Sequence, residues 1–367
     1  MPYLNQLEPN ELIAHFLANP PVDFTAWQTE SGLPMFAARF DLLTTVDPAL
    51  RHKIMKLPFY RIWGNWLRFN TAFVGTTVSE YALLPTDADT YLLVSALKTH
   101  YAKRYPFLIV KDLPNHSTLL SENENDQSEL FAKHLAAEQF IQVEGQALAF
   151  VKCDYQSIDD YLSRLSYSRR KNFRRKLKVA KDIDVKVSYS GDDCFFESQH
   201  IAQYYQLYLN VYEQSDIHFD KLSQAFFQAL LQDKNNHAII FNYYHDNQLI
   251  GYNICFIVGD TLIDKYIGFV YPKCHEFNLY YVSWFYNLQY LLDHNLTYYI
   301  AGWTDPEVKA SLGAQFTLTQ HWVYIRNPLL RWVLGRLSRY FETDKQLLDK
   351  QQNKTSSQVK HENADHS

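Results

Sequence analysis

The residues with the clearest capacity for chemistry lie between Arg164 and Lys181, in the run RLSYSRRKNFRRKLKVAK. Nine lysines and arginines fall there without one acid, in a chain whose formal net charge is −5. Arg169, Arg170, Lys171, Arg174 and Arg175 form a candidate anion site. Phosphate is the natural ligand, because a guanidinium fork matches its oxygens in pairs. Asn172, in their midst, can fix the helix or bond the same ligand. The competing reading is a solvated helix face, but such faces normally carry acidic partners at i,i+4 spacing, and this run has none.

Three smaller groups have the side chains for proton transfer or anion binding. Asp264, Lys265 and Tyr266 sit in an otherwise apolar strand, where strict alternation sets Asp264 and Tyr266 on one face and Lys265 on the other. An acid there is costly unless partnered or wet, which aims it at a cleft; solvation at a sheet edge explains it equally. Asp305, Glu307 and Lys309 follow a strand and open a helix, although Asp305 before Pro306 also reads as capping. Tyr280, Tyr281 and Trp284 begin a helix whose free N–H groups favour an anion; the alternative is core packing. His275 and His321 read as structural or exposed. No Gly-x-Ser-x-Gly nucleophile motif occurs.

These groups need a scaffold. Ser157 followed by Asp160 reads as a capping box opening one helix that carries the basic run, with Phe173, Leu177 and Ala180 on a narrow apolar stripe. Before it, 86–105 reads as a helix, 107–114 as a buried strand, 121–129 as a polar loop or helix start, and 140–152 as a hairpin about Gly145. After it come a strand at 185–189, helices at 200–215 and 220–233, and three strands over 237–270 with hairpins at 245–247 and 259–260. A helix at 278–295, a strand at 296–303, a short helix ended by Gly313, a strand at 317–326 and a helix at 327–341 complete the pattern. The last helix carries Trp332 between arginines, so it packs on the core or touches a membrane surface. The order of elements gives an α/β fold with a mixed sheet. At 367 residues we expect two lobes, 1–150 and 151–341, then a disordered polar tail at 342–367.

Composition excludes several classes. Hydrophobic residues make up 47% of the chain and 27 Tyr and 24 Phe are present, enough to fill large cores and line a cleft with amphipathic rings. Cys153, Cys194, Cys255 and Cys274 are far apart without paired histidines, so neither a metal site nor a disulfide framework is expected. The first 30 residues lack a signal-peptide pattern, and no apolar run reaches the ~18 residues of a membrane span. The expectation is a cytoplasmic protein, soluble or at most peripheral to a membrane.

The segments SIDDYLSRLSYSRRKNFRRKLK, NQLIGYNICFIVGDTLIDKYIGF, NLYYVSWFYNLQYLLDHNL and YYIAGWTDPEVKASLGAQ together resemble the FemAB-like and BioF2-like branch of the GNAT N-acyltransferase superfamily. The resemblance runs from about Lys111 to Phe341, and implies two tandem GNAT-like lobes. It also implies transfer of an acyl group from an activated donor to an amine, chemistry that needs positioning and an oxyanion donor rather than a covalent triad. Asp264 would then orient or deprotonate the acceptor amine, Tyr266 protonate the leaving group and Tyr281 help the oxyanion. Lys309 and Asp305, in the family-like turn, would bind phosphate or carboxylate. The expected co-substrate is acyl-CoA, although the R/Q-x-x-G-x-G/A loop of acetyl-CoA enzymes is missing. The expected acceptor is an amine-bearing small molecule or cell-envelope precursor. Two rivals stand beside this: an aminoacyl-tRNA-dependent ligase of the FemAB kind, and a non-catalytic protein whose basic helix binds nucleic acid or an anionic membrane.

Overall fold

The computed structural model describes residues 3–41, 52–53, 55–58, 60, 64–215 and 219–337. In chain order the first half contains β1 (Tyr3–Leu4), α1 (Asn10–Ala18), β2 (Thr25–Gln28), β3 (Pro34–Asp41), β4 (Arg68–Val74), β5 (Leu84–Pro85), α2 (Thr90–His100), β6 (Phe107–Pro114), α3 (Glu122–Ala137) and β7 (Ile141–Lys152). The second half contains α4 (Ile158–Ser163), α5 (Tyr167–Lys176), β8 (Asp184–Tyr189), α6 (Ser198–Gln214), α7 (Gln224–Gln232), β9 (Ile239–His245), β10 (Gln248–Val258) and β11 (Thr261–Phe269). It ends with α8 (Lys273–Glu276), α9 (Leu279–Asp293), β12 (Tyr298–Gly302), α10 (Pro306–Leu312), β13 (Gln315–Ile325) and α11 (Pro328–Leu337). The mixed α/β expectation is met.

Among the described residues, eleven strands form one sheet in the order β2-β3-β4-β6-β13-β7-β12-β11-β10-β9-β8. Its two parallel pairs, β4 with β6 and β11 with β12, are each bridged by a helix, α2 and α9 respectively. The run β3-β4-α2-β6-α3-β7 is thus repeated as β10-β11-α9-β12-α10-β13. The final strands of the two repeats are exchanged: β7 pairs with β12 of the second repeat, and β13 pairs with β6 of the first. The boundary placed at residue 150 falls inside β7.

Local sequence accounts for most elements. Asp89 caps α2 by accepting from the N–H groups of Tyr91 and Leu92, and Ser121 with Glu124 forms a complete capping box on α3. The β9–β10 hairpin turns on Asp246 and Asn247, both at positive φ, as a two-residue turn requires. The expected hairpin at 140–152 is instead a single strand. Gly145 is not a turn residue there but a point of close approach, where a Cβ would collide with Thr319 of β13.

The basic segment also departs from expectation. The single helix divides into α4, capped by Ser157, then α5, then a 3-10 stretch at Leu177–Asp182. The break falls at Leu165 and Ser166, where Ser166 adopts ψ 152. Phe173 is buried, packing against Tyr281 and Phe285 of α9. The predicted end of the last helix at Phe341 and the polar tail lie outside the described residues.

One core, containing Phe16, Phe36, Phe73, Tyr204, Phe226 and Tyr252, lies beneath α1, α6 and α7 and joins both halves on one face of the sheet. On the opposite face, α9 and the basic segment cover the second half, with Phe241, Cys255, Trp284 and Leu288 buried. Burial of such rings at ~25 cal/mol per Å² is the main force holding the helices to the sheet.

Candidate active site at the splayed strands

β11 and β12 pair only through Thr261–Tyr298, Leu262–Tyr299 and Ile263–Ile300. Beyond Ile263, β11 continues six residues without a partner on that side, so the sheet opens between the two strands. Residues 264–267 are all partly exposed, whereas 262, 263, 268 and 269 are buried, so solvent reaches the opening.

A β-bulge decides what faces it. Ile254 pairs with Tyr266 and Cys255 with Asp264, leaving Lys265 as the extra residue. The bulge puts Asp264 on the α9 face and both Lys265 and Tyr266 on the other. The alternation expected for these three residues therefore fails, and Asp264 and Tyr266 are separated by the sheet.

On the α9 face Asp264 accepts hydrogen bonds from Asn253 Nδ2 at 2.8 and 3.0 Å, Asn287 Nδ2 at 3.0 Å and the Tyr299 hydroxyl at 3.0 Å. Burial pushes its carboxyl above the usual range, while the bonds from Asn253 and Tyr299, the nearby Lys309 and the Cys255 thiol pull it back. So many donors fix the carboxylate in place and leave it little capacity as a mobile base.

Lys309 on α10 completes the group. The residue is 4% exposed, and Nζ donates to the Ala301 carbonyl of β12 at 2.6 Å. Burial lowers its pKa to about 8, against the attraction of Asp264, Asp305 and Glu80. No other described residue bonds Nζ, so two of its three protons remain for a ligand. The Tyr280 hydroxyl, shielded from solvent and without a partner, lies in the field of Asp305 and Asp264. Asp305 itself is exposed at φ 54 and makes no side-chain cap, so capping does not explain it.

The remaining candidates lie elsewhere. Tyr281 packs against the basic segment, its ring 3.4 Å from Lys176 Nζ, rather than beside Asp264. Tyr266 sits among Phe226 and Phe227 on the opposite face. Along the basic segment, Arg174 pairs with Asp159 at 2.7 Å, Arg170 bonds the carbonyls of Ser163 and Leu165, and Arg175 bonds Asn172. The acids that the run itself lacks come from Asp159 and Asp160 on α4 and from Asp154 ahead of it. Arg169 and Lys171 have no ion pair with any described residue and stay available. Asn253, Asn287 and Tyr299 were missed in the sequence; two asparagines inside apolar segments were the available signal. Among the described residues no His, Cys, Asp and Glu group could hold a metal.

Two repeats of one GNAT-like topology, the second opening between β11 and β12, define the fold class. A family model described as FemAB-like, peptidoglycan biosynthesis/recognition, matches residues 95–363, and the chain belongs to that family. Solved structures with a similar fold include the C-terminal domain of a putative lysylphosphatidylglycerol synthetase from Agrobacterium fabrum. It is 9% identical, with a TM-score of 0.51 over 85% of this chain and 86% of that one. L-PGS from Bacillus licheniformis is 10% identical, TM-score 0.51, over 90% and 97%. FemX is 12% identical, TM-score 0.49, over 89% and 98%. A comparison with curated proteins gives no match. No helix among the described residues is long and apolar enough to cross a membrane.

Proposed function

We propose that this protein is an aminoacyltransferase that acts in the cytoplasm, moving an aminoacyl group from an aminoacyl-tRNA ester to an amine of a cell-envelope precursor. The observation that carries it is Lys309, a buried ammonium at the strand opening with two protons free. Such a group can donate to the ester carbonyl as negative charge develops there, then protonate the departing ribose oxygen. Asp264, held by Asn253, Asn287, Tyr299 and the Cys255 thiol, helps keep Lys309 charged near neutral pH. The family's peptidoglycan description supports an envelope acceptor.

An ester donor is favoured over acyl-CoA by the segment joining β11 to α9. Residues 270–278 contain no glycine and are filled by Pro272, Cys274 and Phe277, the last two buried. This composition does not suit a backbone cradle for pyrophosphate. Arg169 and Lys171 provide unpaired cations for tRNA phosphates.

The test combines binding with transfer. The midpoint of thermal unfolding is followed with bulk tRNA, acetyl-CoA and longer acyl-CoAs at two salt concentrations, because a native-state ligand raises it by mass action. Label is then followed from mixed aminoacyl-tRNA into a muropeptide precursor. A salt-sensitive tRNA shift with label transfer is expected. An acyl-CoA shift that is lost in Arg170→Ala/Arg174→Ala would overturn the reading.

A further inference from the structure

The opposite side of the strand opening holds a second polar group. Glu8, from the segment before α1, and Glu80, from the loop after β4, are 0% and 1% exposed. Lys265 Nζ lies 2.6 Å from Glu80 Oε1 and 3.6 Å from Glu8 Oε1, and the Glu80 N–H donates to that same Glu8 oxygen. Glu8 Oε2, Glu80 Oε2 and the Tyr266 hydroxyl are also shielded from solvent, yet none has a hydrogen-bond partner.

Two features suit a further cation here. With both ionised, two carboxylates face one lysine, an excess of negative charge in a desolvated place. The Tyr266 hydroxyl stands in the field of Asp220, Glu80 and Glu8 and still bonds to none of them. A primary ammonium has three N–H donors, the number of unpaired oxygens. Lys309 lies within electrostatic reach of Glu80.

We propose that Glu8 Oε2, Glu80 Oε2 and the Tyr266 hydroxyl hold the primary ammonium of the acceptor, across the strand opening from Lys309. This rests on the transfer reading above and assigns its acceptor side. Glu8 then has a second task, because an ammonium has no lone pair with which to attack. Burial raises the Glu8 carboxyl to about 7, against Lys265 and with the help of Glu80. Glu8 takes one proton, giving the free amine and a neutral acid. The amine nitrogen bonds the ester carbonyl carbon, the carbon–oxygen bond breaks, and Lys309 protonates the ribose oxygen and recovers a proton from the new amide nitrogen. The titratable groups around Glu8 are Lys265 and Tyr266 from β11, Glu80 and Tyr81 from the loop after β4, and more distantly Asp220, Lys111 and Lys309.

The probe is ethylammonium chloride, with tetramethylammonium chloride at equal ionic strength as control and no donor present. Thermal midpoints are measured on the full chain at pH 6 and pH 8.5. Ethylammonium is expected to raise the midpoint at pH 8.5 with at least tenfold lower apparent affinity at pH 6, where Glu8 holds a proton, and tetramethylammonium to do nothing. Glu8→Gln should remove both the response and its pH dependence. Tyr266→Phe, which deletes one oxygen, should weaken the response severalfold and decides the matter if Glu8→Gln does not fold. Equal responses to the two cations, or a response unchanged in the variants, would overturn the proposal. Loss of aminoacyl transfer with the ethylammonium response intact would sink the transfer reading alone.

Discussion

Lys309 carries a cost that a surface lysine does not. Its pKa falls from 10.5 to about 8 because burial disfavours the charge, so the folded state binds fewer protons than the unfolded one between those values. The penalty is fully present below pH 8 and fades as pH rises to 10.5, an upper bound of about 3 kcal/mol. Lys309→Met is therefore expected to raise the thermal midpoint at pH 7, to flatten the rise of wild-type stability between pH 8 and 10.5, and to lower kcat by about 10²–10³. Unfolding curves across that range, with single-turnover assays, check all three outcomes. Asp264→Asn removes the first of the attractions holding the ammonium, so the alkaline limb of the kcat profile should move to lower pH. A limb that stays in place would show that another acid serves. Lys309 was visible in the sequence as a candidate, but its burial was not. The bulge at Lys265 was also invisible, because apolar residues on both faces of the strand hide the shift in alternation that one extra residue makes.

At the scale of elements, the basic helix α5 and the crossing of β7 with β13 make separate predictions. Arg169→Ala with Lys171→Ala should reduce the salt dependence of tRNA binding by about 1–2 units of slope. Stability should change by no more than ~0.5 kcal/mol, since Lys171 is exposed, Arg169 is only half-buried and neither has an ion pair with a described residue. Binding isotherms over a salt series and one denaturation curve suffice. Gly145→Val is expected to cost about 1–3 kcal/mol or more, because its side chain meets the Thr319 backbone as well as the hydroxyl. A denaturation midpoint unchanged in that variant would mean that the strands can move apart. Caps, hairpin turns and helical periodicity were legible because they are local, as at Asp89, Ser121 and Asp246. Gly145 was misread because its reason lies on a strand more than 170 residues away. The division of the basic run into α4 and α5 was missed because Leu165 and Ser166 fit a helix by composition.

For the molecule as a whole, strand exchange makes each repeat incomplete without the other. Fragments 1–153 and 154–367 should each lack a cooperative unfolding transition, since β6 is without β13 and β12 without β7. Mixed or coexpressed, they should restore one transition and the ethylammonium response. An independently folded first fragment, seen as a sharp calorimetric peak, would contradict this. The tandem repeat was foreseen from the family resemblance, but strand exchange depends on contacts between distant segments that no local pattern encodes.

The exchange also sets a timetable for synthesis. β6 and β7 leave the ribosome early, yet β13, which lies between them, starts roughly 160 residues after β7 ends. At ~5–20 residues per second, the nascent chain holds two bare strand edges open for about 10–30 s. During that interval a second nascent copy offers the same edges, so crowded translation selects for whatever keeps β6 and β7 unoccupied until their own partner arrives.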